Sequence, residues 1–427
     1  MGAVTQIPVK INFNSLAEKV VERCRVLASY SEDAGSIRRT FLSPPMHDVH
    51  LAITRWLEPL GATTRIDAAG NLRAIYPATE MPAPTLLIGS HLDTVPNAGA
   101  YDGILGVALA VALLEALDRE TLPYAIEVIG FSEEEGVRFG VPFIGSRALV
   151  GRLGADLLNA KDANGISVKE AIRAFGLDPR DINHAAITSD TCAYVEFHIE
   201  QGPVLEKFGL QLAAVEAIAG QHRLEFTFIG RANHAGTTPM DLRFDAVAAA
   251  AEWIASVERL AKETPGLVAT VGSVQTKPGA TNVIAGETRV SLDVRHRGDA
   301  VRTRAVDELT KEAERIARRR GLSIRSVEHL NQAAVAMDPF LTTQIEQAIR
   351  EAGCTPHRMV SGAGHDAMIL AEKVLSAMIF LRTPGGVSHD PAESVVVDDV
   401  SRAIECGVHL LHQLAATPNF QTRTYRA

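Results

Sequence analysis

The sequence predicts an α/β protein: a mostly parallel sheet covered by helices, interrupted by a smaller domain with a different rhythm. Three observations lead there. Short apolar strands alternate with helical segments in "TLLIGS", the stretch Ile104 to Leu117, "YAIEVIGF" and "YVEFHIE", the pattern of a parallel sheet buried on both faces. From about 216 to 329 the order becomes β-α-β-β-α-β, the split motif of ferredoxin-like sandwiches. After 330 the first rhythm resumes with "AVAMDPFLTTQIEQAIREAG" and "LSAMIFLRT". A chain of 427 residues exceeds one comfortable core. The expected division is 1–215 and 330–427 for the large domain, with 216–329 inserted.

The elements follow in order. Ser15 and Glu18 have capping-box spacing, and Leu16, Val20, Cys24 and Leu27 recur at helical intervals. A second helix is expected from Met46 to Leu60, after a double proline. In the insert, "RLEFTFIG" is a strand, Phe244 to Leu260 a helix, "LVATVGSVQ" and "TRVSLDVRH" strands, Val301 to Arg320 a helix and "SIRSVEH" a strand. Arg318, Arg319 and Arg320 stand before Gly321, where a helix C-terminus favours cations.

Composition excludes several classes. A net charge of −9 and the absence of a basic stripe argue against a nucleic-acid surface. The apolar run from Ile104 to Leu114 is too short to span a bilayer. "MGAVTQIPVK" has no apolar leader core, and Gln6 stands where myristoylation needs Ser or Thr. Cys24, Cys192, Cys354 and Cys406 form no CxxC pair, so neither a disulfide framework nor a thiolate zinc site is indicated, and a reducing cytoplasm is expected. Neither a GxSxG elbow nor a GxxxxGK[ST] phosphate loop occurs.

In an open parallel sheet, ligand groups collect at the carboxyl ends of strands. His91 follows "TLLIGS"; Glu133, Glu134 and Glu135 follow "YAIEVIGF"; His198 ends "YVEFH"; His389 follows "AMIFL"; and Asp102 opens the apolar helix. A mixed set of imidazoles and carboxylates suits zinc and its neighbours, and five ligands are one too many for a single tetrahedral ion. Two ions sharing one carboxylate use five well, and Asp102 is the expected bridge. Asp93 is placed to orient His91 from behind. The insert carries a second polar cluster, with His234, Asn282 and Arg295. Arg295 beside an amide suits a substrate carboxylate or, equally, a strand-face salt bridge. His222, His296 and His365 are read as structural.

Taken together, "GSHLDTVPNAGAYDGILG", "EEEGVRF", "HIEQGPVLE", "NHAGTTPM", "TNVI", "DVRH", "SGAGHDA" and "SHDPAE" resemble the hydantoinase/carbamoylase amidase branch of the M20 metallopeptidase superfamily. The match runs in order from about residue 15 to 415. The resemblance implies a di-metal catalytic domain binding two divalent ions (zinc, manganese, cobalt or nickel), with an inserted domain serving as lid and homodimer interface. His91, Asp102 and His198 would hold one ion, and Asp102, Glu135 and His389 the other. Glu134 would be the general base and His234 the oxyanion group, while Gln201, Asn282 and Arg295 would hold the carboxylate of a ureido substrate. Glu133 has no role in that pattern. The implied reaction is hydrolysis of an N-carbamoyl-L-amino acid, with allantoate as the alternative substrate. N-carbamoyl-β-alanine, a dipeptide or acyl amino acid, and an inactive binding protein rank behind.

Overall fold

A computed structural model describes residues 11–418 and 420. The "MGAVTQIPVK" segment lies outside the described residues. The chain divides into two compact units. One comprises the described residues of Met1–Glu216, Met337–Met359 and His365–Ala427; the other comprises Ala217–Ala336 and Val360–Gly364.

The first unit is built on a mixed sheet. Its centre is parallel, in the spatial order Ala125–Phe131, Thr85–His91, Thr191–Ile199, Leu375–Leu381. Antiparallel strands flank that centre, with Leu72–Tyr76 and Thr63–Ile66 on one side and Leu212–Ile218 on the other. Ala125–Phe131 and Thr191–Ile199 are buried at every residue, which explains their continuous apolar runs. All four central strands deliver their carboxyl ends to one edge.

Helix Ile104–Leu117 packs over this centre and is buried all round except near Glu115, which accepts two hydrogen bonds from Arg23 at 2.9 and 2.8 Å. Gly106 permits the approach, since a Cβ there would lie 2.2 Å from the carbonyl oxygen of Phe197 and 2.8 Å from Ser90 Cβ. Phe13–Ser29 buries Leu16, Val20, Cys24 and Leu27 as its periodicity predicts. Its start differs from the expected Ser15 cap: Asn12 is the N-cap, and its side chain accepts from the Ser15 N–H at 3.1 Å. Asparagine caps as well as serine does, and an earlier start adds a helical turn. The second helix runs over Pro45–Leu57 and tightens into a 3₁₀ turn at Glu58–Leu60.

In the second unit an antiparallel sheet has the order Val274–Lys277, Glu287–His296, Gly220–Ile229, Ser323–Gln332, with Val268–Thr270 also paired to Glu287–His296. The expected single strand "LVATVGSVQ" is thus two, interrupted where the N–H groups of Gly272 and Ser273 donate to Ser291 Oγ. Glu287–His296 alternates in burial residue by residue. Its inward side chains join Trp253, Phe226, Phe228 and Leu309 in a core under helices Ala246–Glu263 and Asp299–Arg319. Arg319 and Arg320 at the end of the second helix both pair with Glu252. Among the described residues no helix is long and apolar enough to cross a membrane.

Gly106→Ala is expected to destabilise the protein by about 1–3 kcal/mol through overpacking. Denaturant unfolding should show a lower midpoint with an unchanged slope.

Candidate metal centre

The parallel strands bring the first unit's histidines and carboxylates to one edge. His91 is the last residue of Thr85–His91 and His198 the penultimate residue of Thr191–Ile199. Glu134 and Glu135 lie on the turn after Ala125–Phe131, His389 follows Leu375–Leu381, and Asp102 sits two residues before helix Ile104–Leu117. Asp102 divides its carboxylate between two groups of neighbours. Oδ1 lies 3.7 Å from His91 Nε2 and 3.2 Å from His198 Nε2. Oδ2 lies 3.0 Å from His389 Nε2, which is itself 3.4 Å from Glu135 Oε1. His91–Asp102–His198 and Asp102–Glu135–His389 each present ligand atoms within 4.8 Å of one another, and so does His91–Glu134–Glu135.

Two buried atoms test whether a cation fits. Asp102 Oδ1 and His198 Nε2 have no hydrogen-bond partner, although burying such atoms unsatisfied is costly. Both point at the first group, and the nitrogen and oxygen donors suit a borderline divalent ion. The other imidazole nitrogens are tied back, His91 Nδ1 to the Asp93 carbonyl oxygen at 3.0 Å and His198 Nδ1 to that of Ile199 at 2.9 Å. Such bonds fix the ring and leave Nε2 for a metal.

Asp93 does more than face His91. Its carboxylate lies 3.4 Å from His91 Nδ1 and accepts the N–H groups of Glu134 at 2.9 Å and Glu135 at 3.1 Å. One side chain therefore joins the end of the His91 strand to the turn carrying both glutamates.

The electrostatics are those of crowded buried acids. Burial, aided by the charges of Glu135, Asp366 and Asp93 against that of His91, pushes the Glu134 carboxyl well above the usual range. Burial would raise Asp102 as well, but the imidazoles of His198, His389 and His91 around its carboxylate hold it well below the usual range. His389 is pushed up to about 10, first by Asp102 and then by Glu135. Glu133 is fully buried; its Oε1 accepts from the Arg138 N–H at 3.4 Å while Oε2 has no partner. Burial and then the Asp93 charge drive its carboxyl well up. Glu133 is therefore a buried acid behind the turn, pushed toward its neutral form, and it belongs to none of the possible ligand groups.

Gln201 joins the same cluster. Its Nε2 donates to Asp102 Oδ2 at 2.9 Å and lies 3.3 Å from Ser388 Oγ. Gln201 and His389 both have a φ of +57°, a conformation costly for non-glycine residues and typical of functional sites. His365, read from the sequence as structural, lies against the same cluster. Its buried ring packs edge-on against His198, with centroids 4.5 Å apart, and it forms a further possible ligand group with Glu196 and His198. Its position just past strand Arg358–Ser361 is the signal that singled out the other histidines.

In the second unit, Asn233–His234 pairs with Val283–Ile284, and the Ala235 N–H donates to the Asn282 carbonyl at 2.9 Å. His234 and Asn282 are thus neighbours. Arg295 forms the strand-face pair, donating to both Asp293 oxygens at 3.0 and 2.8 Å, and also donates to the Gly362 carbonyl at 2.6 Å.

A buried carboxylate shared between two histidine-bearing groups at the carboxyl edge of a parallel sheet defines a metal-dependent hydrolase. Residues 87–413 match the model of peptidase family M20/M25/M40, and the chain belongs to that family, whose enzymes are metal-dependent. It is 38% identical to an allantoate deiminase of Arabidopsis thaliana over 91% of this chain and 80% of that one. It is also 38% identical to an N-carbamoyl-L-amino acid amidohydrolase of Geobacillus stearothermophilus, over 90% and 95%. A hydantoinase/carbamoylase family amidase of Burkholderia multivorans superposes with a TM-score of 0.88 at 29% identity, covering 94% of this chain and 98% of that one. The protein is an amidohydrolase of this family.

Asp102→Ala removes a donor from both groups. Metal retained through gel filtration should fall at least tenfold by elemental analysis, with little change in helical content.

Proposed function

We propose that this enzyme hydrolyses the ureido C–N bond of an N-carbamoyl-L-amino acid, releasing the amino acid, ammonia and carbon dioxide. The observation that carries the reading is the division of Asp102, with Oδ1 toward His91 and His198 and Oδ2 toward His389 and Glu135. Two divalent ions per subunit fit that division. When bound, they polarise the substrate carbonyl and lower the pKa of a water toward ~7.

The chain's own residues supply the rest. Glu134, buried beside His91 and Glu135, is placed to act as the general base. It takes the proton of the attacking water and returns it to the leaving nitrogen. His234 donates to the developing oxyanion. Gln201, Asn282 and Arg295 take the substrate carboxylate, so that binding remote from the reaction sets its geometry. Asp293 and Gly362 occupy three of the five N–H donors of Arg295, which orients the guanidinium while leaving donors for a ligand. The second unit serves as a ferredoxin-like lid and as the homodimer interface. The free thiols of Cys24, Cys192, Cys354 and Cys406 support a reducing, cytoplasmic setting.

Allantoate is the second reading, favoured by the Arabidopsis relative at equal identity. It too offers a carboxylate and ureido groups. Ammonia release by metal-reconstituted enzyme from several N-carbamoyl-L-amino acids, N-carbamoyl-β-alanine and allantoate tests both, and release from none of them refutes the ureido assignment.

Glu134→Gln is expected to lower kcat by about 10²–10⁴ while metal content stays at the wild-type level. Arg295→Ala should raise KM for carboxylated substrates by about 10- to 100-fold, the cost of a hydrogen bond to a charged group, with a smaller effect on kcat. Steady-state kinetics check both.

A further inference from the structure

The turn carrying Asp102 and the loop carrying His389 lie far apart in sequence, yet their spacing decides whether one carboxylate can serve both ligand groups. Gln201 touches both side chains, and a second residue grips the backbone of the Asp102 turn from the His389 loop itself. Glu393 lies four residues past His389, is buried at 5% exposure, and has no place in the ligand set. Its Oε1 accepts the N–H groups of Tyr101 at 2.8 Å and Asp102 at 3.0 Å. Its Oε2 lies 3.2 Å from Ser388 Oγ, which is also 3.2 Å from Asp102 Oδ2. The Glu393 carboxylate thus grips the backbone of the bridging residue and, through the hydroxyl beside His389, approaches that residue's side chain. Gly99 leaves room for it, because a Cβ at that position would lie 2.4 Å from both Glu393 Cβ and Glu393 Oε1.

A second buried carboxylate beside Asp102 is electrostatically unfavourable: burial and then the Asp102 charge raise the Glu393 carboxyl above its ordinary range. An apolar side chain would fill the space without that repulsion, but it would leave the Tyr101 and Asp102 N–H groups unsatisfied and free the turn. We infer that Glu393 is a positioning residue that sets the bridging aspartate against the His389 loop and so governs metal affinity at the centre. The inference rests on the metal-centre reading but not on the identity of the substrate.

The test is zinc titration of the chelator-stripped full-length protein by calorimetry, with melting of the metal-free form recorded alongside. Glu393→Ala should weaken zinc binding by about 10- to 100-fold, and Glu393→Gln, which keeps an oxygen for both N–H groups, should stay within about threefold of wild type. Gly99→Ala, which displaces the carboxylate without removing it, should reproduce the Glu393→Ala loss and should add nothing to it in the double variant. Wild-type affinity in folded Glu393→Ala, equal losses in the Ala and Gln variants, or additive losses in the double variant would each overturn the inference. If Glu393→Ala does not fold, Gly99→Ala decides: wild-type affinity there refutes the positioning role. Failure of the wild-type protein to take up zinc overturns the metal-centre reading itself, a result distinct from any of these.

Discussion

Mutual repulsion among carboxylates held out of water is the constraint on which the first unit is organised. Asp93, Asp102 and Glu134 are all buried at the carboxyl edge of one sheet, with Glu133 just behind and Glu135 partly exposed. Burial penalises each charge, and proximity penalises each further one. The protein answers in two ways. Some carboxyls are pushed toward the neutral form, as Glu133 is by its desolvation. Others are charged and surrounded by imidazole, as Asp102 is by His91, His198 and His389. A bound metal ion would complete the second answer, because its charge inverts the local preference.

Such a site is only as good as its spacing, and the scaffold spends much of its polar chemistry on spacing. Parallel strands fix His91 and His198 through backbone hydrogen bonding. The glutamate turn has no sheet register of its own, and the Asp93 carboxylate supplies an anchor by taking the N–H groups of Glu134 and Glu135. On the other side Glu393 takes those of Tyr101 and Asp102. Both anchors are buried acids satisfied by main-chain donors, interactions that keep a well-defined geometry in low dielectric.

The second unit uses polar groups differently. Arg223, Asp293 and Arg295 sit on one face of an antiparallel sheet whose other face is closed by Trp253, Phe226 and Leu292. There an arginine can be held by an aspartate two residues away and keep donors to spare, as Arg295 is by Asp293. That arrangement suits recognition of a ligand anion, whereas the first unit suits retention of cations.

The sequence by itself determined the alternation of strands and helices, because burial on both faces demands unbroken apolar runs such as those ending at His91 and Phe131. It also determined which histidines and acids stand at strand ends, since chain direction alone places them there. Helix starts were less legible: Asn12 and Ser15 are both good caps, and only packing decided between them. The roles of Glu133 and Glu393 were not legible either, nor were the hold of Asp93 on the glutamate turn and the packing of His365 against His198. Their partners are backbone groups and rings distant in sequence, and whether a buried carboxyl is neutral, anchoring or ligating depends on which donors the fold aims at it. Tertiary structure alone decided that, because desolvation and hydrogen bonding are set by neighbours in space and not by neighbours in the chain.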